Sequence, residues 1–252
     1  MSLKRKQILI ILTIVAIFSI NYNISYCESY YIKDEIINYS KEKEIQNKSC
    51  NFKKIAYITI DDGPSKYTDD ILNILNKHNV KCTFFLIDRN MNTYPEKVKK
   101  IVESGNTAGL HSVSHDIHKL YKTNISAREE FDINNNTLYK ITGRYSNLVR
   151  LPYGSKPYAS KDIYNNLVNA GYKIWDWNID TQDWKSTSNE ILENAKVYSK
   201  NKNEIIILIH EKKQTVEALD SLISYLVKEG YNISPINESQ EPKNFWLKNL
   251  YK

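Results

Sequence analysis

Glycine, proline and cysteine are all scarce in this sequence. Seven glycines, six prolines and three cysteines occur in 252 residues, whereas 41% of the residues are hydrophobic and 25% are charged. This composition excludes collagen, coiled coils and wholly disordered chains. No repeat of fixed period is visible, which argues against a solenoid. The chain is composed like a globular protein, and its length suits one large α/β domain or two small ones.

The sequence also lacks a strong excess of positive charge. Its formal net charge is +6, and Lys4, Arg5 and Lys6 precede the first acidic residue, Glu28. Subtracting these three charges from +6 leaves +3 for the rest of the chain. A charge this small does not provide the basic surface that nucleic-acid binding needs. We therefore expect no nucleic-acid partner.

Only one long hydrophobic run is present, and it lies at the amino terminus. It covers residues 8–20 and follows three basic residues, which is the order of an export signal. The run is shorter than the roughly 17–25 apolar residues of a membrane-spanning helix, so a cleaved signal is favoured. Membrane anchoring through residues 7–26 stays open. We expect an extracellular or cell-surface protein.

Changes in composition divide the chain into four parts. They are an export signal or anchor (residues 1–27), a polar spacer (28–50), a folded domain (51–236) and a tail (237–252). The tail is polar, although Phe245, Trp246 and Leu247 could dock onto the domain. Once the signal is cleaved, Cys50 and Cys82 form an even pair that could be a disulfide outside the cytosol. Two unpaired thiols, with Cys82 buried in a strand, are the favoured interpretation.

Short apolar runs alternate with amphipathic stretches from Lys54 onward, which predicts βα units around a parallel sheet. About seven strands are expected, at residues 55–60, 82–87, 107–110, 148–149, 173–179, 204–209 and 231–236. Thr68 is expected to cap the first helix and Pro95 to open the second. Four helices are expected to end at glycines, which suit the left-handed position after a helix, at Gly105, Gly143, Gly171 and Gly230.

Polar clusters follow five of the predicted strands, at Asp61–Asp62, His111–His115, Arg150, Asp180–Trp184 and His210. In a βα barrel the carboxyl ends of the strands form the rim where catalytic groups converge. His111 and His115 have the i, i+4 spacing that can present two imidazoles to one metal in a helical turn. His118 is expected to lie at the surface. The concentration of histidines near strand ends favours a site at this rim.

Each cluster taken alone has an ordinary structural explanation. Asp-Asp-Gly-Pro is common in solvated turns, and Arg150 could be a plain surface cation. A guanidinium beside carboxylates can instead fix their orientation through paired hydrogen bonds. Trp175 and Trp177 suit a core, whereas Trp184 follows two aspartates in a loop and is expected to line a groove. Whether the clusters form a functional site must therefore be judged from the order and position of all five together.

These five clusters, in this order, resemble the polysaccharide deacetylases of carbohydrate esterase family 4. TIDDGP, HSVSH, RLPYG, DTQDW and LIH stand where that family has its five motifs, and the resemblance runs from about residue 51 to residue 236. Two departures are small: Ile60 replaces the usual phenylalanine, and Glu211 stands where an aspartate is common. The resemblance implies a distorted (β/α)7 barrel of the TIM type and a metal-dependent N-deacetylase acting on N-acetylated sugars.

The resemblance also implies which residues hold the metal and activate water. Asp62, His111 and His115 would be the metal ligands, with zinc as the first choice and cobalt or iron(II) also accepted by such a set. Asp61 would be the general base that takes a proton from the attacking water. Arg150 would orient Asp61.

The remaining motif residues would act on the acetyl group and the leaving amine. Pro152 and Tyr153 would form the oxyanion loop, with the Tyr153 backbone amide facing the tetrahedral oxyanion. His210 would protonate the departing amine, and Asp183 would hold His210 in its charged form. The acetyl pocket would be walled by Leu208 and Trp184.

The expected partner is a polysaccharide, and the protein is expected to be a monomer. Peptidoglycan ranks first as the substrate, while chitin-like oligomers and an exopolysaccharide stay open. A catalytically silent carbohydrate-binding wall protein is a further alternative, which the presence of Asp61 and His210 argues against. An amidohydrolase of non-sugar substrates is another, and the export signal and complete DTQDW motif favour a polymer outside the cell.

Overall fold

A computed structural model describes residues 54–250 of the chain. The strands are β1 (Lys54–Gly63), β2 (Thr83–Leu86), β3 (Thr107–Leu110), β4 (Leu148–Val149), β5 (Lys173–Ile174), β6 (Ile179–Asp180), β7 (Glu204–His210) and β8 (Tyr231–Ile233). The helices are α1 (Thr68–Lys77), α2 (Asp88–Thr93), α3 (Pro95–Glu103), α4 (Ile117–Leu120), α5 (Ser126–Thr142), α6 (Lys161–Asn169), α7 (Ser188–Ser199) and α8 (Lys213–Lys228).

Seven strands form a curled parallel sheet in the order β5-β4-β3-β2-β1-β7-β6, and β8 pairs with the start of β1. β5 and β6 are the two ends of this order, and within residues 54–250 no strand ladder joins them. The result is a half-barrel surrounded by helices, which confirms the predicted distorted (β/α)7 architecture. All strand ends that carry the polar motifs therefore lie on one rim.

The side-chain alternation of β1 separates two buried clusters. Ile58 and Ile60 belong to the large cluster that packs against the helices, whereas Tyr57 belongs to a smaller cluster with Phe85 and Trp175. Because successive side chains of a strand point to opposite faces, Thr59 and Asp61 share the face of Tyr57. β1 thus directs Asp61 to the face of the sheet that carries the smaller cluster.

Among the local predictions that differ from the structure, two are explained by contacts with distant parts of the chain. The fifth expected strand, residues 173–179, is divided into β5 and β6, because the Asp176 amide donates to the Lys243 carbonyl instead of to a neighbouring strand. Thr68 is the first residue of α1 but does not cap it with its side chain. Its hydroxyl instead donates to Glu211 Oε2 at 2.7 Å.

The glycine predictions are confirmed where the backbone needs a left-handed residue. Gly143 caps the long helix α5 with φ of 72°, and Gly171 follows the end of α6 with φ of 91°. A residue with a Cβ would be strained there, since the left-handed region strongly favours glycine.

Several predictions concern residues outside the described range. The export signal or anchor over residues 1–27, the spacer over residues 28–50 and the thiol of Cys50 all lie there, and they stay predictions. Cys82 is fully buried, and burial raises the pKa of its thiol far above the ordinary value. Within residues 54–250, no helix combines the length and apolar character needed to cross a membrane.

Candidate active site

Asp61 and Asp62 end β1, and the backbone bends between them. The pairing of β1 with β2 shifts between Asp61 and Gly63, and Asp62 has φ of 68°. Such an irregularity re-aims side chains at a strand end, so two consecutive carboxylates can serve one site. Asn90 supports the bend by donating to the Asp62 carbonyl at 2.7 Å.

Asp62, His111 and His115 come together as a candidate metal site. Asp62 Oδ1 lies 3.5 Å from His111 Nε2 and 3.3 Å from His115 Nε2, and the three ligand atoms all lie within 4.8 Å of one another. The histidines are not presented by a helical turn, as their spacing had predicted. They lie on an irregular loop in which Ser112 and His115 have φ of 72° and 50°, and this loop turns both rings toward Asp62.

The donor atoms of this triad are prepared for a divalent metal. His111 Nδ1 donates to the Arg150 carbonyl at 2.8 Å, which leaves the Nε2 lone pair directed at Asp62. Asp62 Oδ1 is buried and has no hydrogen-bond partner among the described residues. Two imidazole nitrogens and one carboxylate oxygen form a set that zinc, cobalt and iron(II) accept. The residues present therefore fit a metal.

The electrostatics of the triad agree with this fit. Burial acts to raise the pKa of Asp62, but the nearby charges of His111, His210 and His115 hold that pKa below its ordinary value. Burial, followed by the neighbouring His111, lowers the pKa of His115. Asp62 is consequently a carboxylate and His115 a neutral imidazole at neutral pH, which are the protonation states that a metal ligand needs.

Arg150 is completely buried, so the alternative of a plain surface cation is wrong. Its Nη1 donates to Thr59 Oγ1 at 2.5 Å and to Asp61 Oδ1 at 3.1 Å. Its Nε and Nη2 donate to the carbonyls of Trp175 and Asp176. The contact with Asp61 is a single hydrogen bond and not the expected pair, because the guanidinium divides its donors among four acceptors.

His210 and Asp183 form a second ionic pair on the same rim. His210 Nδ1 lies 2.7 Å from Asp183 Oδ1, while the His210 amide and the Thr215 hydroxyl donate to Asp183 Oδ2 at 2.6 and 2.7 Å. Burial lowers the pKa of His210, but the hydrogen bond and negative charge of Asp183 more than offset this and raise the pKa to about 9. The register of β1 with β7 places Asp61 opposite His210.

Tyr153 lies beside the metal triad on the loop that follows β4. Its ring is 5.1 Å from the His115 ring and 56% exposed, and its backbone has φ of 64°. Tyr121 donates its hydroxyl to the Pro152 carbonyl at 3.2 Å. A large residue in a left-handed conformation with little burial is costly, and such strain is concentrated at functional sites.

The other predicted residues are placed as follows. Leu208 is buried and lies opposite Thr59 in the β1–β7 ladder, whereas Trp184 is 59% exposed on the loop after β6. Trp175 is in the core, as expected, and His118 is exposed, as expected. Leu208 and Trp184 therefore belong to the same rim region of the chain as His210 and Asp183.

Four supporting residues were missed from the sequence, namely Thr59, Asp176, Glu211 and Thr215. Thr59 could have been found, because it stands two residues before Asp61 and shares its face of β1. Glu211 was noted only as a departure from the family pattern. It is buried, burial raises its pKa, and its Oε2 accepts from Ser65 Oγ at 2.6 Å. Glu211 thereby anchors the turn that follows Asp62.

The sequence and the fold are similar to those of known proteins. The sequence profile of the polysaccharide deacetylase family matches residues 48–175. The chain is similar to a peptidoglycan-N-acetylglucosamine deacetylase of Bacillus cereus, with 32% identity over 98% of each protein.

Two solved structures are also similar. One is the polysaccharide deacetylase Bc1974 from Bacillus cereus, with a TM-score of 0.74 and 36% identity over 78% of this chain and 99% of that one. The other is BA3943 from Bacillus anthracis, described as a pseudoenzyme, with a TM-score of 0.66 and 27% identity over 73% of this chain and 64% of that one. This chain belongs to the polysaccharide deacetylase family, whose catalytically active members hydrolyse amide C–N bonds.

Proposed function

We propose that this protein is a metal-dependent N-deacetylase that removes acetyl groups from N-acetylglucosamine-type residues of peptidoglycan at the cell surface. The observation that carries the proposal is the convergence of three groups on one rim of the barrel. These groups are the metal triad, the buried Asp61 with its arginine, and the charged pair of His210 and Asp183. Together they can activate water, polarise an amide and protonate an amine.

Asp62, His111 and His115 would hold the metal, and zinc is the first choice. A bound divalent metal would polarise the acetamide carbonyl and make water more acidic. Cobalt and iron(II) suit the same donor set. The neutral state of His115 and the free Nε2 of His111 support this assignment.

Asp61 is the proposed general base. Arg150 occupies its Oδ1 at 3.1 Å, while its Oδ2 lies 3.7 Å from His111 Nε2, next to the triad. Oδ2 is therefore the oxygen that takes the proton from the attacking water. Arg150 keeps the carboxylate in this orientation, since the guanidinium is itself immobilised by Thr59 and two carbonyls.

His210 is the proposed general acid. Its Nδ1 is held by Asp183, which leaves Nε2–H as the proton for the leaving nitrogen. An amine leaves a tetrahedral intermediate poorly unless it is protonated, so a histidine that stays charged at neutral pH suits this step. The Tyr153 amide is proposed to face the oxyanion, with Pro152, Leu208 and Trp184 around the acetyl group.

Exposed aromatic rings on the rim support a glycan as the substrate. Tyr153 contacts Tyr158 at 5.9 Å between ring centroids, both rings are about half exposed, and Trp184 is also exposed. Exposed apolar surface beside a site marks a binding groove, and aromatic faces can pack against the apolar faces of sugar rings. Similarity to a peptidoglycan deacetylase favours peptidoglycan over chitin-like oligomers or exopolysaccharide.

Acetate release tests the proposal. Purified full-length protein is assayed on peptidoglycan, on an N-acetylglucosamine pentasaccharide and on a small acetamide, before chelation, after chelation and with zinc or cobalt restored. We expect release from the glycans that is lost on chelation and recovered with metal. Release from the small acetamide alone would favour a non-sugar amidohydrolase. Glycan binding without release under any metal would favour a silent wall protein, and full activity in a metal-free preparation would contradict the metal assignment.

The native target is tested separately by the muropeptide profile of a strain that lacks this gene. We expect the content of glucosamine in the peptidoglycan to fall, because deacetylation of N-acetylglucosamine produces it. An unchanged content would favour an exopolysaccharide or a chitin-like oligomer as the target.

A further inference from the structure

Asp176 lies between β5 and β6 and is completely buried. Its carboxylate accepts three hydrogen bonds, from the Ser155 amide at 2.8 Å, the Ser155 hydroxyl at 2.5 Å and the Phe245 amide at 2.8 Å. Its carbonyl accepts from Arg150 Nη2 at 3.1 Å, and its amide donates to the Lys243 carbonyl at 2.9 Å. Every polar group of this residue is therefore used, by two separate parts of the chain, residues 150–155 and 243–245.

Residues 243–250, named here the C-terminal segment, run along the gap between β5 and β6. Asn244 is buried and donates to the Ile174 carbonyl at 3.0 Å, and Leu250 belongs to the smaller buried cluster. Trp246 Nε1 donates to the Ser155 carbonyl at 3.0 Å. The segment thus contacts β5 and the loop that carries Tyr153, and its Leu250 carbonyl accepts from Asn178, directly before β6, at 2.9 Å.

We infer that Asp176 and the C-terminal segment belong to the catalytic domain, and that Asp176 is a positioning residue for the Tyr153 loop (residues 151–155) and for Arg150. Ser155 is held by Asp176 on one side and by Trp246 on the other, two residues after Tyr153. The Asp176 carbonyl also accepts a hydrogen bond from Arg150, which in turn donates to the proposed base, Asp61. One buried residue thereby connects two parts of the proposed site: its carboxylate holds the proposed oxyanion loop at Ser155, and its backbone carbonyl accepts from the arginine of the proposed base.

The inference moves the boundary of the domain from residue 236, where the sequence placed it, to residue 250 or beyond. A chain that ends before the C-terminal segment would leave the Asp176 carboxylate without the Phe245 amide. A buried charge that loses a donor is costly, so the loop would have to rearrange. A shift of the oxyanion loop would reduce turnover while leaving the triad intact, because His111, His115 and Asp62 are each held by a contact outside that loop.

The test compares point variants of the full-length protein, so that it does not depend on a truncated chain folding. Trp246→Phe removes the bond to Ser155 and keeps an aromatic ring, and Asp176→Asn keeps the volume and loses the charge. Tyr231→Phe is the matched control, since it removes hydrogen bonds to the Ser199 and Lys202 carbonyls at the far end of the barrel. Each variant is measured for Tm, zinc affinity, kcat, KM and hydrogen exchange of the peptide covering residues 151–158.

We expect Trp246→Phe and Asp176→Asn to speed exchange of that peptide and to lower kcat, by roughly 10- to 100-fold for Asp176→Asn, since displacement of a catalytic group by about 1 Å can cost that much. KM and zinc affinity should stay within about twofold of wild type. Tyr231→Phe should lower Tm without either effect. Unchanged exchange in both loop variants, or an equal fall of kcat in Tyr231→Phe at a matched loss of Tm, would overturn the inference.

The measurement of kcat rests on the proposed function, whereas the measurement of hydrogen exchange does not. If the wild-type protein releases no acetate, the proposed function fails, and exchange of residues 151–158 still decides the positioning role. If the wild-type protein is active and the loop variants match it in kcat and exchange, the positioning role fails alone.

Discussion

The rim carries two histidine clusters that use the same pair of residue types in opposite ways. In the metal triad, one carboxylate, Asp62, is shared by two imidazoles at 3.5 and 3.3 Å. In the second cluster, Asp183 Oδ1 contacts a single imidazole, that of His210, at 2.7 Å. Its Oδ2 accepts from the His210 amide and the Thr215 hydroxyl. The pKa of His115 is lowered, whereas that of His210 is raised to about 9.

This difference teaches how a fold assigns a role to a histidine. Burial, followed by the neighbouring His111, lowers the pKa of His115 although Asp62 lies close to it, so the lone pair of His115 remains available to a metal. A carboxylate dedicated to one imidazole, with every other lone pair satisfied, keeps a proton on that ring at neutral pH. The first arrangement suits binding of a cation, and the second suits the proposed delivery of a proton to the leaving amine.

The largest expected effect comes from breaking the triad. His115→Ala should abolish tight metal binding and reduce acetate release to the detection limit, because two ligands do not hold the cation. Asp61→Asn is the matched variant, since it should retain metal and lose turnover by about 10²–10⁴-fold. Metal content by elemental analysis and acetate release check both. If the two variants lose metal equally, the separation of ligand and base is wrong.

His210→Ala should have the next largest effect, a fall in turnover of about 10²–10⁴-fold with metal binding retained. In the wild type, activity should decline as the pH rises through about 9, because the imidazolium then loses its proton. The variant should lack this alkaline decline. A variant that keeps both the alkaline limb and a turnover within a few-fold of wild type would assign the proton donor to another group.

Asp183→Asn should make His210 resemble His115, because it removes the negative charge that raises the pKa of His210. Without the charge of Asp183, burial dominates and the pKa of His210 should fall below about 9 toward or below the ordinary value of roughly 6.5. The alkaline limb should move to lower pH, and turnover near pH 8 should fall by about 10–100-fold. An alkaline limb at the wild-type position would show that Asp183 does not set the proton affinity of His210.

The same pair should make stability depend on pH. A histidine whose pKa is raised on folding contributes stability that is fully present below its unfolded pKa, roughly 6.5, and is lost as pH rises through about 9. Wild-type Tm should therefore decline over this window by more than that of His210→Ala. Parallel curves for the two proteins would contradict the raised pKa.

Thr215→Val should have the smallest effect. It removes one hydrogen bond to Asp183 Oδ2, while the His210 amide still donates to that oxygen. We expect a loss of about 1 kcal/mol in the free energy of unfolding and a few-fold fall in turnover. Denaturant unfolding and kcat measure these, and a fall in turnover as large as that of Asp183→Asn would show that Thr215 acts directly on the substrate.

Much of the fold could be predicted because its signals are local. Apolar runs between polar segments located the strands, and glycines located the ends of helices, since both depend on neighbouring residues. The division of residues 173–179 into two strands could not be predicted, because the acceptor of the Asp176 amide lies in the C-terminal segment. Likewise, the positive φ values of Ser112 and His115 come from a loop that the i, i+4 spacing had suggested to be helical.

The candidate site was predictable to the level of which residues stand at strand ends. The sequence by itself determined the alternation of strands and helices and the polar motifs that follow the strands. These features depend on the spacing of apolar residues and on turn-forming residues, which are close together in the chain. Only the tertiary structure decided that Arg150 is buried and that Asp176 joins three segments. It also decided that the pKa values of His115 and His210 are shifted in opposite directions. Those properties depend on distances between atoms far apart in the sequence, and charge interactions and hydrogen bonds change over a few ångströms.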